Sequence, residues 1–125
     1  FGEINVLEGT VVNGKVDTLL GSFKCPKNLN NCKVKVVIRN EAIKLYSSEK
    51  NKLKNLNKDD FIISSYPGTV MEARLLAGST LVHLSLKNND TKFHLHARIP
   101  GLNFFNLNEK VIIITDPKQI FVFKQ

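Results

Sequence analysis

The sequence predicts an all-β fold, an antiparallel barrel or sandwich, on three observations. Apolar and polar residues alternate with a period of two through most of the chain. Turn signals recur at intervals of roughly ten residues. No stretch carries a sustained helical period with caps. The chain has 125 residues, 42% of them hydrophobic, with eight Phe, two Tyr and no Trp. That suffices for one domain with a core that needs neither metal nor disulfide, and it excludes disorder. The longest apolar runs, Phe61-Ile62-Ile63 and Val111 to Ile114, are strand-sized, too short for a membrane-spanning helix.

In chain order, Asn13-Gly14 is the first hairpin signal. Lys33 to Arg39 alternates charge with β-branched residues and reads as a strand. Asn40 to Leu45 fits either one helical turn or, from Ala42 to Tyr46, a short strand. Ser47 to Asp60 is rich in Lys, Asn and Ser and belongs to no core, so it divides the chain. The expected organisation is a β-rich part over residues 1–46, a polar linker over 47–60 and a second β-rich part over 61–125, with no convincing repeat between the parts. Thr80 to Leu86 places Val82, Leu84 and Leu86 on one face. Lys92 to Ile99 places Phe93, Leu95, Ala97 and Ile99 on one face and Lys92, His94, His96 and Arg98 on the other. Val111 to Thr115 and Phe121 to Phe123 complete the strands. Pro67-Gly68, Ala77-Gly78-Ser79, Asn88-Asn89-Asp90, Pro100-Gly101 and Asp116-Pro117 mark the turns between them.

Eighteen Lys and Arg against eleven Asp and Glu give a formal charge of +7. Such a charge raises nucleic acid as a partner. Its distribution argues the other way: many lysines crowd Lys44 to Lys58 with only Tyr46 as an aromatic neighbour, and Arg is confined to Arg39, Arg74 and Arg98. Cys25 and Cys32 are separated by six residues, the wrong spacing for a zinc knuckle; a disulfide closing that loop is geometrically possible, but without a secretory signal the expectation is free thiols. The opening Phe1-Gly2-Glu3-Ile4-Asn5 has neither Met nor the pattern of a signal peptide, and reads as the start of a piece of a longer polypeptide.

Catalytic signatures are missing. There is no phosphate-binding Gly-rich loop, no Gly-x-Ser-x-Gly elbow and no His-Glu-x-x-His. Of the acids, only Asp59-Asp60 are adjacent. The sequence therefore predicts no enzyme and no cofactor site. The one constellation of interest is His94 and His96 on one strand face, with His83 in the preceding strand and able to lie opposite them. Three imidazoles suit Zn²⁺ or a similar ion. Lys92 and Arg98 on the same face oppose a metal, which favours a solvated face titrating near neutral pH.

Phe1-Gly2-x-x-Asn5-x-Leu7-x-Gly9-Thr10-Val11 resembles the segment that follows the nucleotide-binding domain in ATPase subunits of ABC-family solute importers. Val37-Ile38-Arg39-Asn40-Glu41-Ala42-Ile43-Lys44-Leu45 is similar to that family's Ile-Arg-Pro-Glu-x-Ile-x-Leu, with Asn40 in place of Pro. Gly68-Thr69-Val70 and Ala77-Gly78-Ser79-Thr80 resemble the opening strands of the TOBE module. Asp116-Pro117-x-x-Ile120-Phe121-Val122-Phe123 resembles its close. Val16 to Gly21 and His96-Ala97-Arg98-Ile99-Pro100 are most similar to the ferric-iron importer ATPases, with maltose-type sugar and polyamine importers as close rivals.

The resemblance implies an OB-fold-like β-barrel of TOBE type. It implies a C-terminal regulatory and dimerisation domain of an ABC importer ATP-binding subunit. Its partners would be a second copy of the subunit, its own nucleotide-binding domain and, indirectly, membrane permease subunits. Its location would be cytoplasmic, at the inner face of the plasma membrane, with ATP and Mg in the absent ATPase domain. Asn5, Arg39, Glu41, Gly68 and Gly78 are the motif residues. Gly68 is expected to complete a Pro-Gly turn and Gly78 to allow a bend or bulge, with Arg39 and Glu41 as a polar pair where the two parts meet. Asn40, having a backbone donor that Pro lacks, is expected to loosen that corner. Two other readings stand beside this one. The first is an OB-type module binding single-stranded nucleic acid. The second is an anion or metal sensor, since small relatives of the TOBE module bind molybdate-type oxyanions.

Overall fold

Two antiparallel sheets are built from the same strand order, each borrowing its outermost strand from the other half of the chain. The computed structural model describes residues 4–47, 60–64, 66–88 and 91–125. Among these, the first half carries β1 (Ile4–Val12), β2 (Lys15–Thr18), β3 (Gly21–Lys24), β4 (Lys33–Arg39) and β5 (Ile43–Ser47). The second carries β6 (Ile62–Ile63), β7 (Gly68–Leu76), β8 (Ser79–Asn88), β9 (Thr91–Pro100), β10 (Lys110–Thr115) and β11 (Ile120–Lys124). The first sheet runs β11-β4-β1-β2-β3 and the second β5-β10-β7-β8-β9, with the short β6 added on β10. Both sheets curl in the manner of an OB-like barrel, and the expected all-β class holds.

Matching the two orders pairs β4 with β10, β1 with β7, β2 with β8, β3 with β9 and β5 with β11. The expectation of no repeat is thereby corrected: the halves are topological copies. A 3-10 turn precedes each exchanged strand, Asn40–Ala42 before β5 and Pro117–Gln119 before β11. The boundary read near residues 46 and 61 therefore does not separate two bodies, because β5 lies in the second sheet and β11 in the first. Of the linker read over 47–60, residues 48–59 lie outside the described residues, as do Phe1, Gly2 and the turn residues Asn89 and Asp90. Among the described residues no helix is long and apolar enough to cross a membrane.

One continuous core unites the halves. Leu7, Val11, Val16, Phe23, Val34, Val36 and Ile38 from the first meet Val70, Val82, Leu84, Leu95, Val111 and Ile113 from the second. Asn13-Gly14 turns β1 into β2 with both residues at positive φ, 54° and 75°, as an Asn-Gly hairpin requires. The glycines of the two Gly-Thr-Val segments serve close approach. A Cβ on Gly68 would stand 2.8 Å from Ile113 Cδ1, and one on Gly9 2.5 Å from Val16 Cγ2. Gly68 is thus the buried first residue of β7 rather than part of a turn. Gly78, at φ +78°, sits in the two-residue turn between Leu76 and Ser79, which a residue with a Cβ adopts only with strain. The bulge lies instead between Val70 and Glu72 in β7.

The halves differ in the length of one hairpin. β2 and β3 have four residues each, β8 and β9 ten each. The long hairpin presents a broad outer face. The short one ends in β3, and among the described residues β3 and β11 are the two outermost strands of the first sheet.

Candidate functional site

Alternation along β8 and β9 buries Val82, Leu84, Leu86, Leu95 and Ala97 and turns His83, Ser85, Lys87, Lys92, His94, His96 and Arg98 outward. Strand register sorts the outer face into rows. Glu72, His83 and His96 are direct partners across β7, β8 and β9, and Arg74, Leu81 and Arg98 form the next row. On the other side Lys110, Thr69, Ser85 and His94 line up across four strands, and Lys87 faces Lys92 beyond them.

The three histidines do come together. His83 Nε2 lies 3.2 Å from His94 Nδ1, one imidazole N–H donating to the other ring. The His83 and His96 rings stack at 4.5 Å between centroids, tilted by only 16°. Stacked rings hold their lone pairs in parallel planes, and the third ring spends a nitrogen on the hydrogen bond, so the lone pairs do not converge on one point. Among the described residues no group of three His, Cys, Asp or Glu side chains is placed to hold a metal ion. A shallow cleft of about 160 Å³ opens on this face, lined by Glu72, Arg74, Leu81, His83 and His96.

Five permanent cations, Arg74, Arg98, Lys87, Lys92 and Lys110, share this face with one described carboxylate, Glu72. Glu72 Oε1 approaches Arg74 Nη2 at 3.5 Å, with both side chains exposed, so the pair is weak. Arg98 Nε donates to Ser79 Oγ at 3.1 Å, and Lys110 Nζ donates to Thr69 Oγ1 at 2.7 Å. Partial burial, and then the neighbouring His96 and His94, push the His83 pKa below its ordinary value, against an opposing pull from Glu72. The face attracts negative charge and is poorly suited to a cation.

Its anchor is Asn5. This buried amide on β1 donates through Nδ2 to His96 O at 2.8 Å and to Asn40 Oδ1 at 3.0 Å, and accepts through Oδ1 from His96 N at 2.9 Å. Asn40, expected to loosen the corner, is fully buried and held by Asn5. Arg39 and Glu41 do not form the expected pair: the Arg39 guanidinium lies over the Phe121 ring, 5.8 Å from its centroid. Extended backbone at Arg39 aims its side chain out of the first sheet, whereas Glu41 sits exposed in the following 3-10 turn. Cys25 and Cys32 are both free, and burial raises the Cys25 thiol pKa.

Glu72, Arg74, Thr69 and Lys110 are the face residues that the sequence did not reveal. The bulge at Met71 breaks the period of β7, and only the long-range pairing of β7 with β8 and β10 brings them beside the histidines.

In sequence the chain matches no protein-family model and no curated protein. In structure it is similar to the cytoplasmic molybdate-binding protein ModG, crystallised with molybdate bound. The TM-score is 0.68 at 16% identity, over 97% of this chain and 96% of that one. The likeness covers both halves and supports a TOBE-type, OB-like fold.

Proposed function

We propose that this chain is a regulatory module that binds a small tetrahedral oxyanion of the molybdate class. The observation that carries this reading is the outer face of β7, β8 and β9, where five permanent cations and three histidines meet one carboxylate. The whole-chain likeness to a molybdate-binding protein supports the same class of ligand. In this reading Arg98 and His96 are the principal contacts. The Asn5 clamp holds His96 in place, and protonated imidazoles add charge as the anion arrives. The test is calorimetric titration with molybdate, sulfate and Zn²⁺ at near-neutral pH. Saturable oxyanion binding that Arg98→Ala and His96→Gln weaken at least tenfold supports the reading. Saturable zinc binding with no response to either oxyanion contradicts it.

A second reading is favoured by the order of the sequence motifs. The chain would be the C-terminal regulatory and dimerisation domain of an ABC importer ATP-binding subunit, cytoplasmic at the inner membrane face. Ferric iron would be the transported solute, with sugar and polyamine importers as alternatives. On this reading the chain hydrolyses no ATP and associates with a second copy. Light scattering over a concentration series, with and without molybdate and ferric salts, tests it: a dimer supports the reading and a strict monomer opposes it.

A further inference from the structure

Among the described residues the outer edges of β3 and β11 carry no partner strand, and residues of both line a groove of about 620 Å³, remote in sequence from the histidine strands, to which Ile62 beside Gly21 also contributes. Lys15, Ser22 and Lys24 line it together with Phe61, Phe121 and Phe123. Lys15 and Lys24 are direct partners on the β2–β3 hairpin, both exposed, and neither forms an ion pair with a described residue. Like charges directly opposite each other destabilise a hairpin unless an anion bridges them. Asp17, on the same hairpin, accepts a hydrogen bond from Ser22 Oγ. Phe121 and Phe123 leave 45% and 55% of their surface exposed, with the Arg39 guanidinium over one side of the Phe121 ring.

We propose that this groove binds single-stranded nucleic acid, with Lys15 and Lys24 on consecutive phosphates and Phe121 and Phe123 as stacking platforms for bases. The chemistry is the pairing that sequence-tolerant single-strand binders use: cations that track the backbone beside aromatic faces that accept any base. In the Lys44–Lys58 segment the sequence places only Tyr46 among the lysines, whereas here two lysines and three phenylalanines line one groove. A peptide strand could pair with the same two edges, but it would leave the opposed lysines without a counter-charge. This site is independent of the oxyanion reading.

The experiment is fluorescence anisotropy of the full chain with labelled thymidine and uridine decamers over a salt series, with thymidine monophosphate and polyglutamate as competitors. Decamer binding is expected to weaken steeply with salt. Lys15→Ala with Lys24→Ala is expected to reduce the log–log salt slope by about 1.4, two phosphate contacts for a single strand. Phe121→Leu with Phe123→Leu keeps apolar bulk but removes the π faces, and is expected to weaken binding about tenfold with the slope unchanged. Circular dichroism confirms that both variants fold. No decamer binding at low salt overturns the proposal, as does a slope that ignores the lysine pair. Displacement by polyglutamate or by thymidine monophosphate as readily as by unlabelled decamer overturns it too, in favour of an acidic peptide or a mononucleotide.

Discussion

Asn5 and His96, 91 residues apart, are joined by two hydrogen bonds in which the side-chain amide of Asn5 takes the place of a neighbouring strand for β9. The His96 N–H and C=O point to Asn5 and so away from β8. His83 and His96 therefore meet as a non-hydrogen-bonded pair, the closer type, with Cα atoms roughly 4.5 Å apart. That closeness brings the two rings into their stack. One buried amide thus ties the first half to the second and sets the geometry of the candidate site.

Replacing Asn5 with Ala removes the hydrogen bonds it makes to the His96 backbone groups and to Asn40 Oδ1. The expected loss is about 2–3 kcal/mol of stability, the penalty for buried polar groups left unpaired. Urea denaturation measures it. The His83 and His96 imidazole NMR signals of the folded variant are expected to move as the stack opens.

Thr115 ends β10 with its Oγ1 buried and without a hydrogen-bond partner among the described residues. Thr115→Val exchanges that hydroxyl for a methyl group of similar size. It is expected to stabilise the fold by about 1 kcal/mol, because an unsatisfied buried hydroxyl carries its desolvation cost without return. A thermal melt showing a higher Tm checks this.

Gly68→Ala places a methyl group against Ile113 Cδ1 and Cγ1, at 2.8 and 3.3 Å. The cost expected for overpacking is about 1–3 kcal/mol. Ile113→Val removes the Cδ1 atom, so the same glycine substitution is expected to cost less in that background. A double-mutant cycle reads the difference as a coupling energy between the two sites.

Because burial lowers the His83 pKa in the fold, the unfolded chain holds its proton more tightly. The stability His83 contributes is present above the unfolded pKa, near 6.5, and is lost as pH falls through the lower folded value. Unfolding midpoints are therefore expected to drop on acidification below about pH 6.5, with a shallower drop in His83→Gln. A bound oxyanion favours the imidazolium, so its affinity is expected to rise over the same acid range, and titrations at two pH values measure that.

The legible strands were those whose inward and outward residues differ plainly. Lys33 to Arg39 and Lys92 to Ile99 alternate in sequence as they alternate in burial. β1 hid because its pattern is reversed: the inward positions include Asn5 and Gly9, while Ile4, Val6 and Val12 face out. β7 hid because the bulge at Met71 shifts its period midway. The repeat hid for a related reason. The equivalent hairpins differ in length, and the two sequences share little beyond Gly-Thr-Val and the residues around the 3-10 turns. The juxtaposition of His83 with His94 and His96 followed from hairpin geometry and was foreseen. Lys87, Lys92 and Arg98 lie on the histidine strands themselves, whereas Arg74 and Lys110 arrive from β7 and β10 through pairings that no local pattern encodes.

The most direct measurement is a molybdate titration followed by NMR of the histidine imidazole and arginine Nε–H signals at pH 6.5. Saturable shifts of His83, His96 and Arg98 are expected, and their loss in Arg98→Ala. Saturable shifts confined to other parts of the chain, or none up to millimolar molybdate, would contradict the oxyanion reading.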